Sequence, residues 1–191
     1  DSLGKTSSTV AQKSALNTVV ESGSVSIAVD ASSPEATIIL AGTEQTVGAY
    51  RLSAVREGVS FTELTFTNAS GVDSRVAEYR LYKGGSVIAT ANPIAGETKF
   101  TLGTNALSVG ANQAETITVK AMLNPITDRD STSSTLQLTL DAAKYRATSG
   151  ETVTTSSLGY AAQAMVVRKT VPTFAKVALT ETGAGSANEE V

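Results

Sequence analysis

Glu115-Thr116-Ile117-Thr118-Val119-Lys120-Ala121-Met122-Leu123 sets the fold class of this chain, because Ile117, Val119, Ala121 and Leu123 alternate with Thr116, Thr118, Lys120 and Met122. A period of two is that of a β-strand with one face buried and the other in water. Beyond a polar loop, Thr135-Leu136-Gln137-Leu138-Thr139-Leu140-Asp141 repeats the pattern with three leucines, so a second apolar face is available to meet the first. Two such faces form the centre of a sandwich core.

Working outward, residues 24–29 alternate Val25, Ile27 and Val29 with small residues and end at Asp30 and a Ser-Ser-Pro break. Apolar runs at 36–40 and 47–55 follow, the latter placing Tyr50, Leu52 and Ala54 on one face. Across 59–67, Val59 and Phe61 share one parity while Leu64 and Phe66 share the other. A β-bulge near Thr62 and Glu63 brings both pairs to the same side. Lys83-Gly84-Gly85-Ser86 reads as a hairpin turn between strands at 76–82 and 87–91, and Phe100 and Leu102 supply another short strand. Turn signals recur about every ten residues with no long helical pattern, which points to a sandwich of many short strands.

Composition agrees. Ser and Thr make up about a quarter of the 191 residues against 17% charged, the balance of a β-rich secreted protein, and 41% hydrophobic residues can fill a core. With a net charge of −3 and no Lys/Arg cluster, nucleic acid is excluded as a partner. No apolar run is long enough to span a bilayer as a helix, and no signal-peptide pattern opens the chain. Because the chain starts at Asp1, it is expected to be a processed protein or part of a longer one.

The two ends echo one another. At an offset of 138 residues Pro172 falls on Pro34 with an apolar segment behind each, and Met165 and Val167 fall on Ile27 and Val29. The match is either a true repeat or two unrelated strands bordered by proline. A repeat divides the chain into an N-terminal arm and strand (1–33), a sandwich domain (34–171) and a C-terminal strand and tail (172–191). The outer segments then act as donor strands or as parts of neighbouring units. Val25, Ile27, Val29, Val177 and Leu179 are the expected assembly residues, since an unpaired strand edge is a template for another chain.

The stretches VGAYRLSA, VSFTELTFT, YRLYKGGSVIA and LSVGANQAETITVKAML together resemble the immunoglobulin-like β-sandwich repeats of large bacterial surface proteins, including S-layer-like proteins and adhesins. In composition and in its spare terminal strand the chain is also similar to subunits of strand-exchanged extracellular filaments. The resemblance covers about residues 34–170 and implies an all-β, immunoglobulin-like Greek-key sandwich with extra terminal strands. The function it implies is that of a structural subunit of an extracellular filament or surface layer, joined to copies of itself through terminal strands. The alternative is a ligand- or glycan-binding adhesin module of a multidomain surface protein.

Chemistry-bearing motifs are sparse. The chain has no histidine and no cysteine, which removes histidine-based triads, thiolate nucleophiles and the common zinc sites, and no nucleotide fingerprint occurs. No enzymatic activity and no cofactor are expected, with calcium as the one candidate ligand. Asp128 and Asp130, with Asp141 beyond the next strand, could offer it hard oxygen ligands, but the loop reads first as a plain polar one in which Arg129 neutralises its neighbours. Asn68-Ala69-Ser70 is a glycosylation sequon in an expected turn. A surface glycan is the candidate external partner. The chain has no tryptophan, and Phe61, Phe66, Tyr79 and Phe100 sit at core positions, so Tyr145 and Tyr160, in more polar surroundings, are the aromatic residues expected to contact it.

Overall fold

Alternation along fourteen strands builds three sheets in the computed structural model, which describes residues 23–68, 73–127, 133–170 and 174–176. In chain order the strands are β1 (Ser24–Val29), β2 (Ile38–Leu40), β3 (Glu44–Val55), β4 (Val59–Asn68), β5 (Val76–Lys83), β6 (Ser86–Ala91) and β7 (Glu97–Thr101). They continue as β8 (Leu107–Val109), β9 (Ala114–Leu123), β10 (Ser133–Leu136), β11 (Leu138–Ala147), β12 (Thr152–Thr155), β13 (Tyr160–Ala161) and β14 (Met165–Arg168). One 3-10 turn, Asp73–Arg75, is the helical element among the described residues, and no helix there is long and apolar enough to cross a membrane.

A five-stranded sheet runs β1-β3-β9-β5-β6 and faces a six-stranded one ordered β12-β11-β4-β7, with β8 beside β4 and β13 beside β11. A small three-stranded sheet, β10-β14-β2, includes a parallel pairing between β14 and β2. The chain crosses between the large sheets after β3, β4, β6 and β8, and β9 inserts between β3 and β5. These are the long returns of a Greek-key sandwich. The chain is therefore an all-β sandwich.

The opening stretch occupies the middle of the five-stranded sheet. Ile117, Val119, Ala121 and Leu123 of β9 are buried, beside Tyr50, Leu52 and Ala54 of β3 and Tyr79 and Leu81 of β5. Opposite them lie Phe61, Leu64 and Phe66 of β4, Phe100 of β7, and Leu138, Leu140 and Tyr145 of β11. Phe66 meets Tyr50 edge-on at 5.3 Å and Phe100 at 5.7 Å, and Phe61 lies 5.7 Å from Tyr145. Rings at these spacings pack in the offset and edge geometries that aromatic quadrupoles prefer. The Tyr50 hydroxyl donates to the Leu138 carbonyl across the core at 2.8 Å, and burial raises its pKa.

The bulge expected in β4 is present. Phe61 pairs with Tyr145 and Glu63 with Lys144, leaving Thr62 without an opposite residue, so Val59, Phe61, Leu64 and Phe66 are all buried. The Gly84-Gly85 hairpin is present as well, with φ of 55° and 85°. Two successive residues at positive φ give the primed turn whose twist matches that of the flanking strands.

Two expectations need correction. Residues 135–141 form two strands: pairing stops at Gln137, with β10 in the small sheet and β11 in the large one. Gln137 Nε2 donates to the Ala162 carbonyl at 3.1 Å where the chain changes sheets. Tyr145 is buried against Phe61 and is unavailable to a glycan, while Tyr160 is half-buried on β13. The strands matched at the 138-residue offset take different places: β1 is an outer strand of the five-stranded sheet, and β14 is the middle strand of the small sheet.

Candidate functional site

The sandwich offers two kinds of surface that could bind, the open edges of its sheets and the polar outer face of the five-stranded sheet. At one edge β1 pairs antiparallel with β3 over six consecutive residues, Ser24 opposite Val55 through Val29 opposite Tyr50. Of the expected assembly residues, Ile27 is 6% exposed, Val25 packs partly against the core, and Val29 is 37% exposed. β1 is thus held within its own sandwich. Val177 and Leu179 lie outside the described residues. Just before them, residues 174–176 belong to no strand and the Phe174 side chain is 95% exposed.

The end of β1 is tied down by Asp30. Its carboxylate accepts from the Ser32 amide at 2.9 Å, from the Ser32 hydroxyl at 2.6 Å and from Thr116 Oγ1 at 3.2 Å. The Ser32 hydroxyl and amide, with smaller help from Thr116 and Arg51, hold this carboxyl below its ordinary range. At the other end of the sheet Glu57 accepts from the Ser149 amide and from the Gly23 amide, and the Ser149 amide lowers its pKa.

Sequence reasoning missed a charged cluster on the outer face. Glu44 Oε1 accepts from Arg80 Nη1 at 3.2 Å and from the Tyr82 hydroxyl at 3.0 Å, and Glu44 Oε2 lies 3.4 Å from Lys120 Nζ. Arg80 Nε also meets Glu78 Oε1 at 2.6 Å, and the Lys120 ammonium sits 4.4 Å from the centre of the Tyr82 ring. Partial burial pushes the Glu44 carboxyl upward, but the Tyr82 hydroxyl, Lys120 and Arg80 outweigh it and leave the pKa lowered. These side chains alternate with core residues along β3, β9 and β5, so the network laces the central strands together from outside. Lys120, pointing out of the sheet, is engaged by a carboxylate and a ring.

Depressed carboxyls make stability depend on pH in a defined direction. A group whose folded pKa lies below its unfolded value of about 4 contributes stability above that pH and loses it as pH falls through the folded value. With Asp30, Glu44 and Glu57 all lowered, the thermal midpoint is expected to stay flat above about pH 5 and to fall below about pH 4. Asp30→Asn should flatten part of that slope. A midpoint that does not move between pH 7 and pH 3 would contradict the assignment.

For the calcium candidates, Asp128 and Asp130 lie outside the described residues. Asp141 is the extra residue of a second bulge in β11, where its carbonyl accepts from the Leu158 amide at 2.9 Å. Among the described residues no three acidic groups come together as a metal site. Asn68, the sequon residue, closes β4 with its side chain turned inward: Oδ1 accepts from the Tyr79 hydroxyl at 3.0 Å and Nδ2 approaches Thr98 Oγ1 at 3.5 Å. A shallow groove of about 400 Å³ runs past Ser60, Asn105, Ser108, Arg146 and Thr148 at one end of the six-stranded sheet. A second, of about 650 Å³, separates the β6 and β7 edges beneath Ile94.

No family model matches this sequence, and no curated protein matches it. Among solved structures the chain is similar to BcpA, the major pilin subunit of Bacillus cereus, at 11% identity and a TM-score of 0.35 over 78% of this chain and 41% of that one. It is also similar to a family 123 glycoside hydrolase from Clostridium perfringens, at 11% identity and a TM-score of 0.34 over 75% of this chain and 27% of that one. The chain spans less than half the length of either structure.

Proposed function

We propose that this chain is a structural β-sandwich unit of an extracellular filament or surface layer, held to further copies of itself through its terminal segments. The observation that carries the reading is Phe174. A large aromatic side chain left 95% exposed, directly ahead of the alternating Val177 and Leu179, has no burial in its own sandwich. Transfer of such a side chain out of water contributes about 1.5–3 kcal/mol, which a second copy can supply by receiving the segment as an added strand. The residue types add support, since a chain without histidine or cysteine lacks the usual nucleophile-activating groups. No catalytic activity, cofactor or bound calcium is part of the proposal.

The test is assembly of the full chain, followed by sedimentation and negative-stain electron microscopy as concentration rises. Phe174→Ser is expected to abolish ordered assemblies while changing the unfolding free energy by less than about 0.5 kcal/mol, as for an exposed site. A wild-type chain that never associates would overturn the reading, as would assemblies that survive both Phe174→Ser and Leu179→Asp. The second reading, a ligand- or glycan-binding module, draws on the groove lined by Ser60, Asn105, Ser108 and Arg146. It predicts saturable glycan binding by a monomer, lost in Arg146→Ala.

A further inference from the structure

Edge strands in soluble proteins carry devices against pairing with a second chain: charges, proline, a bulge or very short length. The edges of this sandwich can be compared on those terms. β6 is bulged at Ile88, where Leu81 pairs with Ala89 but Tyr82 with Val87. β7 carries Glu97 and Lys99, and β2, β10 and β12 are only three or four residues long. β1 has none of these protections: its six residues, SVSIAV, hold no charge, proline or glycine, and its register with β3 is unbroken.

The backbone of β1 shows which groups face outward. The Asp30 amide donates to the Ala49 carbonyl at 2.9 Å, so the peptide groups of Ser24, Ser26, Ala28 and Asp30 point toward β3. By the alternation of an antiparallel ladder, those of Val25, Ile27 and Val29 point away from it, and no partner among the described residues takes them. The same three residues direct their side chains to the core side, where Val25 and Val29 are left incompletely covered. Their order, Val25-Ser26-Ile27-Ala28-Val29, is symmetric about Ile27 in its apolar positions.

We infer that the open edge of β1 is a twofold contact with a second copy of this chain, the two β1 strands running antiparallel with Ile27 opposite the partner's Ile27. In that register Val25 lies opposite the partner's Val29, and the outward peptide groups of all three residues meet as hydrogen-bonded pairs, giving about six backbone bonds. On the outer face Ser26 meets Ala28, and Ser24 meets Asp30, so no like charges are opposed. The two five-stranded sheets become continuous, and the exposed sides of Val25 and Val29 cover each other. A one-residue slip would set inward side chains against outward ones, so the register is specified. The contact is isologous and closes on itself, unlike the head-to-tail contact of a donated terminal segment. Together the two would extend a layer in separate directions. The inference rests on self-assembly as the function of the chain.

Because the chain has no cysteine, cross-linking reads the register cleanly. In Ser26→Cys/Ala28→Cys, both thiols lie on the outer face as a non-hydrogen-bonded pair with the partner's, about 4.5 Å apart at Cα, within disulfide range. Oxidation is expected to give a covalent dimer of twice 19.6 kDa on a non-reducing gel, with at least a tenfold lower yield for Ser26→Cys alone. Val25→Pro removes only an outward amide, and Val29→Lys places a charge on the edge. Both should raise the dimer dissociation constant at least tenfold in sedimentation while leaving the thermal midpoint within a few degrees. A chain that assembles through Phe174 while the cysteine pair fails to cross-link and Val25→Pro changes nothing overturns this contact and leaves the proposed function standing. A chain monomeric at every concentration overturns both. Concentration-independent hydrogen-exchange protection of the Val25, Ile27 and Val29 amides in a monomer would mean that the chain's own N-terminal residues cover the edge, and would also overturn it.

Discussion

Phe66→Ala is expected to lower the unfolding free energy by about 3–5 kcal/mol, a large share of the 5–15 kcal/mol typical of a domain. Phe66 is wholly buried on β4, between β11 and β7, and its ring meets Tyr50 on the facing sheet and Phe100 beside it. The cost of such a truncation depends on whether the neighbours can close the cavity. Here they are restrained. Tyr50 is anchored by its bond to the Leu138 carbonyl, and moving into the vacated space would break a buried hydrogen bond worth about 1–3 kcal/mol. Phe100 is pinned by its place in β7, opposite Leu64. Urea unfolding followed by circular dichroism measures the loss, which should shift the midpoint without changing the slope. Val87→Ala on the β6 edge, where the side chain is 47% exposed, serves as the contrast at less than about 1 kcal/mol. A Phe66→Ala loss as small as that of Val87→Ala would mean that the two large sheets do not share this core.

The parts of the fold legible in the sequence were those carried by side-chain parity. Ile117 through Leu123 alternate and are buried as they alternate, and the parity switch between Phe61 and Leu64 placed a bulge where Thr62 stands. Parity says nothing, however, about which strand lies alongside. The leucines at 136, 138 and 140 keep one alternation while the chain leaves one sheet for another, so a single strand and two strands read the same. Tyr145 was misread for a related reason: Lys144 and Arg146 make its neighbourhood look polar, but in a strand they point to the opposite face. The cluster of Glu44, Arg80 and Lys120 was invisible for want of topology, since it exists only once β9 is known to lie between β3 and β5. Composition was legible in a different sense. The uncharged run at Val25 to Val29 could be read as an assembly strand, but its attachment to β3, and hence the distinction between donating the strand and presenting its edge, required the ladder.

Deleting Thr65 should abolish cooperative folding, whereas deleting Thr62 should leave a sharp transition and Thr62→Ala should change stability by no more than about 1 kcal/mol. Thr62 is exposed and has no residue opposite it on β11, so its side chain contributes little beyond a 3.3 Å bond from its hydroxyl to the Lys144 carbonyl. It is the added residue of the bulge. Without it Val59, Phe61, Leu64 and Phe66 alternate with Ser60, Glu63 and Thr65 at a period of two, all four on one face. The ladder to β11 keeps its register, because Phe61 and Glu63 already lie opposite the successive residues Tyr145 and Lys144. Thr65 is different, since it separates Leu64 from Phe66, and its removal makes them neighbours that must point to opposite faces. If Leu64 keeps its place opposite Phe100, Phe66 is expelled from its contacts with Tyr50 and Phe100. If Phe66 keeps its place opposite Thr98, Leu64 is expelled instead. An expelled apolar side chain costs about 1.5–3 kcal/mol, and the cavity it leaves adds to that. The ladders of β4 to β7 and β11 are displaced by one residue on one side of the deletion as well. Thermal unfolding with near-ultraviolet circular dichroism distinguishes the outcomes: Thr62→Ala and the Thr62 deletion retain a sharp transition and a tyrosine signal, and the Thr65 deletion shows neither. A Thr65 deletion that melts sharply near the wild-type midpoint would mean that β4 need not hold Leu64 and Phe66 on one face, and a Thr62 deletion that fails to fold would mean that the bulge does more than accommodate one extra residue.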